Sequence, residues 1–199
     1  MQEEIVERII GGAIEEFKDV GIRFTMDSLS RRLGMSKRTI YEVVSSKKEL
    51  FELVVDHTFA DVKNQQRKIF ENDQMSLLEK IEHLFGIVPS YSDRLDYRRV
   101  AEIRHLFPGL YEKIIRNINN DWDRTIVLLE EGMNAGVIKK KNMVVLKALL
   151  CEVFEKLLDG EFLIANQISY EVALKETISI IMDGLVVGDR EDAGWTERK

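Results

Sequence analysis

Apolar residues recur at spacings of three and four along most of the chain, and this period predicts amphipathic α-helices. Only two prolines occur among the 199 residues, which agrees with an all-α protein. The first helix is expected over residues 9–22, and two short helices follow on either side of Gly34. The apolar positions of the two short helices form one shared seam, made by Leu29, Leu33, Met35, Ile40, Val43 and Val44.

The same period continues through the rest of the chain, where proline, glycine and polar clusters separate longer helices. About nine helices are expected in total. The longer ones are predicted over residues 47–71, 75–88, 94–106, 110–134, 143–164 and 169–187. The polar segment 189–199, which contains Trp195, is expected to be a mobile tail.

The segment 25–48 has the start, turn and stop signals of a helix-turn-helix. The Thr25 hydroxyl is suited to cap the first short helix and the Ser36 hydroxyl the second, while Gly34 supplies the backbone freedom of the turn. The N-terminal residues of a recognition helix approach base edges in the major groove, so donors are needed there. The second helix begins with three such residues, Lys37, Arg38 and Thr39.

The distribution of charge supports DNA as a partner, although the net charge does not. The chain as a whole carries −6. Residues 21–48, however, hold seven basic and only two acidic side chains. Phosphate binding needs such a local positive face, and an acidic remainder helps to orient that face toward DNA. Without the helix-turn-helix signals, a short basic run would indicate only a solvated helix face.

Several classes of protein are not expected. The sequence contains no run of about 18 uninterrupted apolar residues and has an acidic N-terminus, so neither a membrane span nor a signal peptide is predicted and the expected location is the cytoplasm. Cys151 is the single cysteine, and a buried core residue is favoured over a redox sensor at that position. The three histidines lie far apart and no metal or phosphate-loop motif occurs, so no enzyme, metal site or cofactor is expected.

Parts of the predicted helix-turn-helix and of the residues just after it resemble the signature of the TetR family of bacterial transcriptional regulators. The matching stretches are Thr25, the L-x-x-x-L-G-M-S run at 29–36, the T-I-Y run at 39–41 and the S-K-K-E-L run at 46–50. The preceding helix, with Ala13, Phe17 and Gly21, is similar to the first helix of that family. Two features depart from the pattern: Gly11-Gly12 lies inside the first helix, where each glycine costs about 1 kcal/mol relative to alanine, and Val44 replaces a common aromatic residue.

The resemblance implies a three-helix DNA-binding domain at 1–48 and a helical ligand-binding and dimerisation domain at 49–188. Helices 143–164 and 169–187 carry more apolar surface than one core requires, which agrees with a homodimer formed through them. A two-fold dimer predicts double-stranded DNA with an inverted repeat as the operator. The expected function is repression relieved by an unknown small-molecule effector. The alternative is a regulator without such an effector, controlled by a protein partner or acting as an activator.

By resemblance, Lys37, Arg38 and Thr39 are the candidates for base contacts, beside the capping Ser36. Thr25, Tyr41, Lys47 and Lys48 are the candidates for the phosphate backbone, although Tyr41 also suits the core between helices. For the effector, aromatic and occasional polar residues on central helices are the candidates, with plain core packing as the alternative. They are Phe85, Tyr91, Phe107, Trp122, Cys151, Phe154 and Glu155. Trp122 lies between Asp121 and Asp123, a setting that suits a cationic or aromatic ligand.

Overall fold

The structure, a computed structural model, describes residues 2–187. The predicted mobile tail at 189–199, with Trp195, lies outside the described residues. Within them the fold is all-α, as the sequence predicts, apart from one isolated antiparallel bridge between Ile138 and Val186. The helices are α1 (Gln2–Val20), α2 (Met26–Leu33), α3 (Lys37–Tyr41), α4 (Lys47–Phe70), α5 (Leu77–Phe85), α6 (Val100–Leu106), α7 (Pro108–Asn120), α8 (Asp123–Asn134), α9 (Met143–Leu157), α10 (Gly160–Ala165) and α11 (Tyr170–Leu185). Short 3-10 turns occupy Gly21–Arg23, Ser92–Arg94 and Tyr97–Arg99.

The first three helices and the start of α4 enclose an apolar core. Its fully buried members include Ile9 of α1, Leu29 of α2 and Ile40 of α3. Val44 is buried here as well. The seam predicted from the spacing of apolar residues therefore holds α2 and α3 together, and α1 packs against it.

Helix α4 joins this N-terminal core to the body of the protein. Phe51 of α4 packs against Phe17 and Phe24 on the N-terminal side, with ring centroids 5.8 and 5.6 Å apart, and against Phe107 on the body side at 5.8 Å. Ile103 of α6 and Leu110 of α7 belong to the same buried cluster. The N-terminal core thus continues directly into the body.

Two long helices predicted from the sequence are divided in the structure. The segment predicted as one helix over 110–134 forms α7 and α8, with a break at Asp121 and Trp122. The segment predicted over 143–164 forms α9 and α10, because the Asp159 side chain accepts hydrogen bonds from the backbone N–H groups of Glu161 and Phe162 and starts a new helix. Apolar spacing alone does not reveal these breaks, because it continues in phase across them.

The body has its own core, in which α5, α8, α9 and α11 meet. Fully buried residues there include Ile81, Leu129 and Leu150, one from each of α5, α8 and α9. Helices α5 and α8 pack closely at Gly132, where an added Cβ would lie 2.9 Å from Cδ1 of Ile81. Among residues 2–187 no helix is both long enough and apolar enough to cross a membrane.

Candidate nucleic-acid interface and internal cavity

Side-chain caps fix the helix-turn-helix as the sequence predicts. Thr25 Oγ1 accepts a hydrogen bond from the Ser28 N–H at 3.0 Å, and Ser28 Oγ accepts one from the Thr25 N–H at 3.1 Å, which completes a capping box at α2. Gly34 ends α2 in the left-handed conformation, with φ of 61°. Ser36 Oγ accepts a hydrogen bond from the Thr39 N–H and starts α3. These contacts set the angle at which α3 leaves α2.

A buried carboxylate on α1 holds α2 in place. Glu16 is only 4% exposed, yet Oε1 lies 2.6 Å from Nε of Arg32 and Oε2 accepts a 2.6 Å hydrogen bond from Ser28 Oγ. Burial raises the pKa of this carboxyl, but the hydrogen bonds and the Arg32 charge outweigh it and lower the pKa below its usual value. Arg32 also forms an ion pair with Asp19. Its guanidinium is therefore neutralised by carboxylates of α1 and is not free to bind phosphate.

Helix α3, which the sequence predicts as the recognition helix, presents its first residues to solvent. The Arg38 side chain is 88% exposed and, within residues 2–187, forms an ion pair with Glu42 alone, one turn along at 3.1 Å. Lys37 forms an ion pair with Asp27, and Thr39 Oγ1 lies 2.9 Å from Ser36 Oγ. Both ion pairs are exposed, so phosphate or a base edge could replace the carboxylate at little cost.

The residues predicted to contact the DNA phosphate backbone differ in how far their side chains are free to do so. Tyr41 is about half exposed, so its ring lies at the surface and not within the core between helices. Lys48 is exposed and pairs with Glu52 at 3.2 Å. Lys47 instead donates to the carbonyls of Ile22 and Phe24, and burial lowers its pKa. In this conformation Lys47 fastens α4 to the 3-10 turn, and a phosphate contact would have to replace those two hydrogen bonds.

Helices of the body and helix α1 together line a partly open cavity of about 250 Å³. Its wall is mostly apolar and includes eight aromatic side chains. They are Phe17, Phe51, Phe59, Phe85, Tyr97, Trp122, Phe154 and Tyr170. Tyr97 and Tyr170 stack with ring centroids 3.7 Å apart, and burial raises the pKa of Tyr170 to about 12. This is a small but suitable site for an apolar molecule.

The structure separates the seven effector candidates into two groups. Phe85, Trp122 and Phe154 line the cavity. The other four are outside its wall: Tyr91, Phe107, Cys151 and Glu155.

Each residue of the second group has surroundings of its own. Tyr91 bonds through its hydroxyl to Thr58, which does line the cavity, and Phe107 packs on Phe51. Cys151 is half-buried, and burial raises the pKa of its thiol, which agrees with a core residue rather than a redox sensor. Glu155 is half-buried on α9.

The break between α7 and α8 contributes a polar group to this apolar wall. Asp121 lines the cavity and also a polar surface groove beside it, as does Gln66 of α4. Asp121 Oδ2 is buried and has no hydrogen-bond partner within residues 2–187. In the sequence, Asp121 stands out only as a neighbour of Trp122. The Asn119-Asn120-Asp121 run was the available signal, because these side chains compete with helical backbone hydrogen bonds.

Helix α1 forms part of the cavity wall as well as part of the N-terminal apolar core. Ala13, Ile14 and Phe17 face the cavity. The end of α1 is also tied to α6, because the Ile22 N–H donates a 2.8 Å hydrogen bond to Glu102 Oε2. Gly21 allows this approach: its φ is 76°, and an added Cβ would lie 2.4 Å from the same oxygen.

Comparison with known proteins agrees with this architecture. Residues 9–54 match the family described as bacterial regulatory proteins, tetR family. The HTH-type transcriptional regulator YvaF of Bacillus subtilis is 26% identical over 187 residues, which cover 94% of this chain and 98% of that protein.

Two solved structures have the same fold at low sequence identity. The transcriptional regulator FadR of Bacillus subtilis, in complex with stearoyl-CoA, gives a TM-score of 0.61 at 17% identity, covering 89% of this chain and 98% of that one. The SmeT-triclosan complex gives a TM-score of 0.66 at 16% identity, covering 98% and 99%.

Proposed function

The chain is a transcriptional regulator of the TetR family, and from that premise we propose that it is a repressor that binds a palindromic operator as a homodimer and leaves it when a small molecule fills the internal cavity. The observation that carries the DNA-binding part is the exposed start of α3, held at a fixed angle by the caps at Thr25 and Ser36.

Roles within the DNA-binding surface follow from residue chemistry. Arg38, with its exposed guanidinium, is proposed to contact a guanine edge, beside Lys37 and Thr39. Thr25, Tyr41 and Lys48 are proposed to contact phosphates, and Ser36 holds α3 in position. Lys47 is proposed to support this surface by anchoring α4 to the Ile22 and Phe24 carbonyls, with any phosphate contact secondary to that.

Two substitutions separate base contacts from phosphate contacts. Arg38→Ala should cost about 1 to 3 kcal/mol of binding free energy at the specific operator and relax sequence choice. Lys48→Ala should weaken binding to operator and scrambled duplexes equally and reduce the salt slope by about one. Salt titrations of both variants on both duplexes measure these effects. Identical behaviour of the two variants would contradict the assignment of roles.

Exposed apolar residues on the last helices support the homodimer. Val144 of α9 and Ile180 of α11 are 79% and 70% exposed, and Leu149 of α9 is half exposed. Large apolar side chains at such exposure on long helices favour burial against a second copy. The proposed interface therefore lies on the segments 143–164 and 169–187, and its two-fold symmetry would place two α3 helices on one face of DNA.

The cavity supports release by a small molecule because it reaches α1. Ile14 and Phe17 face the cavity, while Glu16 on the same helix holds α2 through Ser28 and Arg32. A molecule that displaces α1 would therefore change the placement of the helix-turn-helix. Coupling of about 1 to 3 kcal/mol between the two sites is enough for regulation.

A thermal-shift screen of small metabolites, followed by operator titration with each hit, tests release. The expected result is a compound that raises the melting temperature and lowers operator affinity. A compound that raises operator affinity would instead support activation by a bound effector. Regulation by a protein partner, without any effector, is the second candidate, and a screen without hits would favour it. We also propose that the protein is located in the cytoplasm, because a regulator must reach its operator there.

A further inference from the structure

Among the described residues, Asp121 is the one charged residue in a cavity wall that is otherwise apolar or uncharged. Asp121 Oδ2 is buried and lacks a hydrogen-bond partner within the described chain, whereas Oδ1 lies 3.7 Å from Nζ of Lys63 on the surface side. A buried carboxylate oxygen without a donor is unfavourable, so a donor supplied by a ligand would relieve the cost. The break between α7 and α8 places Asp121 at this point of the wall.

The position of Asp121 also suggests where a ligand enters. Asp121 and Gln66 line both the cavity and the polar groove outside it, so the two spaces meet at these residues. The cations of the groove, Lys63, Arg67 and Arg124, are exposed to solvent, where water and salt screen them. The charge that a ligand meets inside the wall is therefore that of Asp121.

We propose that the effector is a small apolar molecule with one cationic amine or N–H donor, which Asp121 binds while the aromatic side chains of the wall enclose its apolar part. This ligand class rests on the proposed function of the cavity. A cavity of about 250 Å³ lies just below the roughly 300 to 1,000 Å³ of ordinary ligand sites, which favours a small ligand. Trp122 and Phe154, whose rings lie 5.9 Å apart, add faces that attract a cation.

Three probes of matched size test this preference: 4-phenylbutylamine, 4-phenylbutan-1-ol and 4-phenylbutanoate, each titrated into the full chain by calorimetry. The amine is expected to bind at least ten-fold more tightly than the alcohol, and the carboxylate more weakly than both. Equal binding of amine and alcohol, tighter binding of the carboxylate, or no binding of any probe would overturn the proposal.

Two variants locate the contact. Asp121→Asn should lower the affinity for the amine at least ten-fold and leave that for the alcohol within two-fold. Asp123→Asn is the matched control, because Asp123 lies in the groove and not in the cavity wall. Loss of the amine preference in the control variant instead would overturn the role of Asp121. Melting curves of both variants without ligand establish whether they are folded. If a variant does not fold, the ranking of the three probes on the unaltered chain still tests the proposal.

Operator binding, measured in the same samples, separates this inference from the function on which it rests. If the amine binds through Asp121 but leaves operator affinity unchanged, the ligand site stands and release by this class of effector fails. If the alcohol or the carboxylate releases the operator and the amine does not, release stands and the proposed ligand class is overturned.

Discussion

At the residue scale, the two adjacent glycines of α1 have different physical roles. An added Cβ at Gly12 would lie 2.6 Å from Cδ2 of Leu33 and 3.1 Å from Cδ1 of Leu29, so α1 and α2 approach closely because Gly12 has no side chain. At Gly11 the same addition meets nothing within 4 Å. The sequence pattern marks both as unfavourable in a helix, and only the packing of α2 distinguishes them.

Alanine at each of these positions gives opposite predicted effects. Gly11→Ala should raise the free energy of unfolding by about 0.5 to 1 kcal/mol, because alanine lowers the entropic cost of forming a helix. Gly12→Ala should lower it by about 1 to 2 kcal/mol, because Leu33 must leave its packed position. Urea denaturation of the two single variants checks this. Equal effects at both positions would contradict the close approach of α2.

Glu16 gives a prediction about acid stability. Its pKa lies below the ordinary value of 4.5, so folding favours the ionised form. This contribution is present above the unfolded pKa and is lost as the pH falls through the lower, folded pKa. Glu16→Gln should reduce the free energy of unfolding by about 1 to 3 kcal/mol at pH 6, and should flatten its decline between about pH 5 and 3.

Urea denaturation at a series of pH values measures that effect. The exposed Glu4 provides the control, because Glu4→Gln should leave both the stability at pH 6 and the acid decline within about 0.5 kcal/mol of the unaltered chain. An acid decline as steep in Glu16→Gln as in the unaltered chain would exclude this carboxylate as a main cause of acid unfolding.

At the scale of elements, local signals predicted the helix-turn-helix well because each of its boundaries has a chemical marker. Thr25, Gly34 and Ser36 all cap or end helices in the structure as short-range spacing indicates. At the two breaks in the body, apolar spacing runs on past the polar signals, which are the Asn119-Asn120-Asp121 run and the Asp159 cap. The cavity was less predictable still, because its wall combines residues of α1, α4 and α11 that only tertiary packing brings together.

The start of α10 provides a test at this scale. An added Cβ at Gly160 would lie 2.1 Å from the backbone oxygen of Arg98, so α10 packs directly on the 3-10 turn that carries Tyr97. Gly160→Ala should therefore reduce the free energy of unfolding by about 2 kcal/mol or more, because a backbone oxygen cannot rotate away as a side chain can. Thermal and urea denaturation measure the loss.

Gly109 is the control for that substitution, because nothing lies within 4 Å of a Cβ added there. Gly109→Ala should change the free energy of unfolding by no more than about 0.5 kcal/mol. A small effect of Gly160→Ala, similar to that of the control, would mean that α10 and the turn at Tyr97–Arg99 separate easily.

At the scale of the whole molecule, a continuous path of packed residues connects the cavity with the proposed DNA-binding surface. Phe17 faces the cavity and contacts Phe51, and Glu16 beside it holds α2. The seven basic residues of 21–48 lie at one end of an otherwise acidic chain. Two such ends in one dimer would bind the two halves of a palindrome, so the proposed regulation depends on dimerisation as much as on the cavity.

Substitutions on the proposed dimer face test this dependence. Leu149→Glu combined with Ile180→Glu should convert a dimer into a monomer, because both side chains are exposed in the isolated chain and two charges per copy would be buried without partners on association. The monomer should keep its melting behaviour at low concentration and lose most of its affinity for a two-half-site operator. Val20→Glu, at an exposed valine of the DNA-binding domain, is the control and should remain dimeric. Sedimentation equilibrium at micromolar concentration decides the matter: a double variant that still sediments as a dimer would place the interface elsewhere on the body.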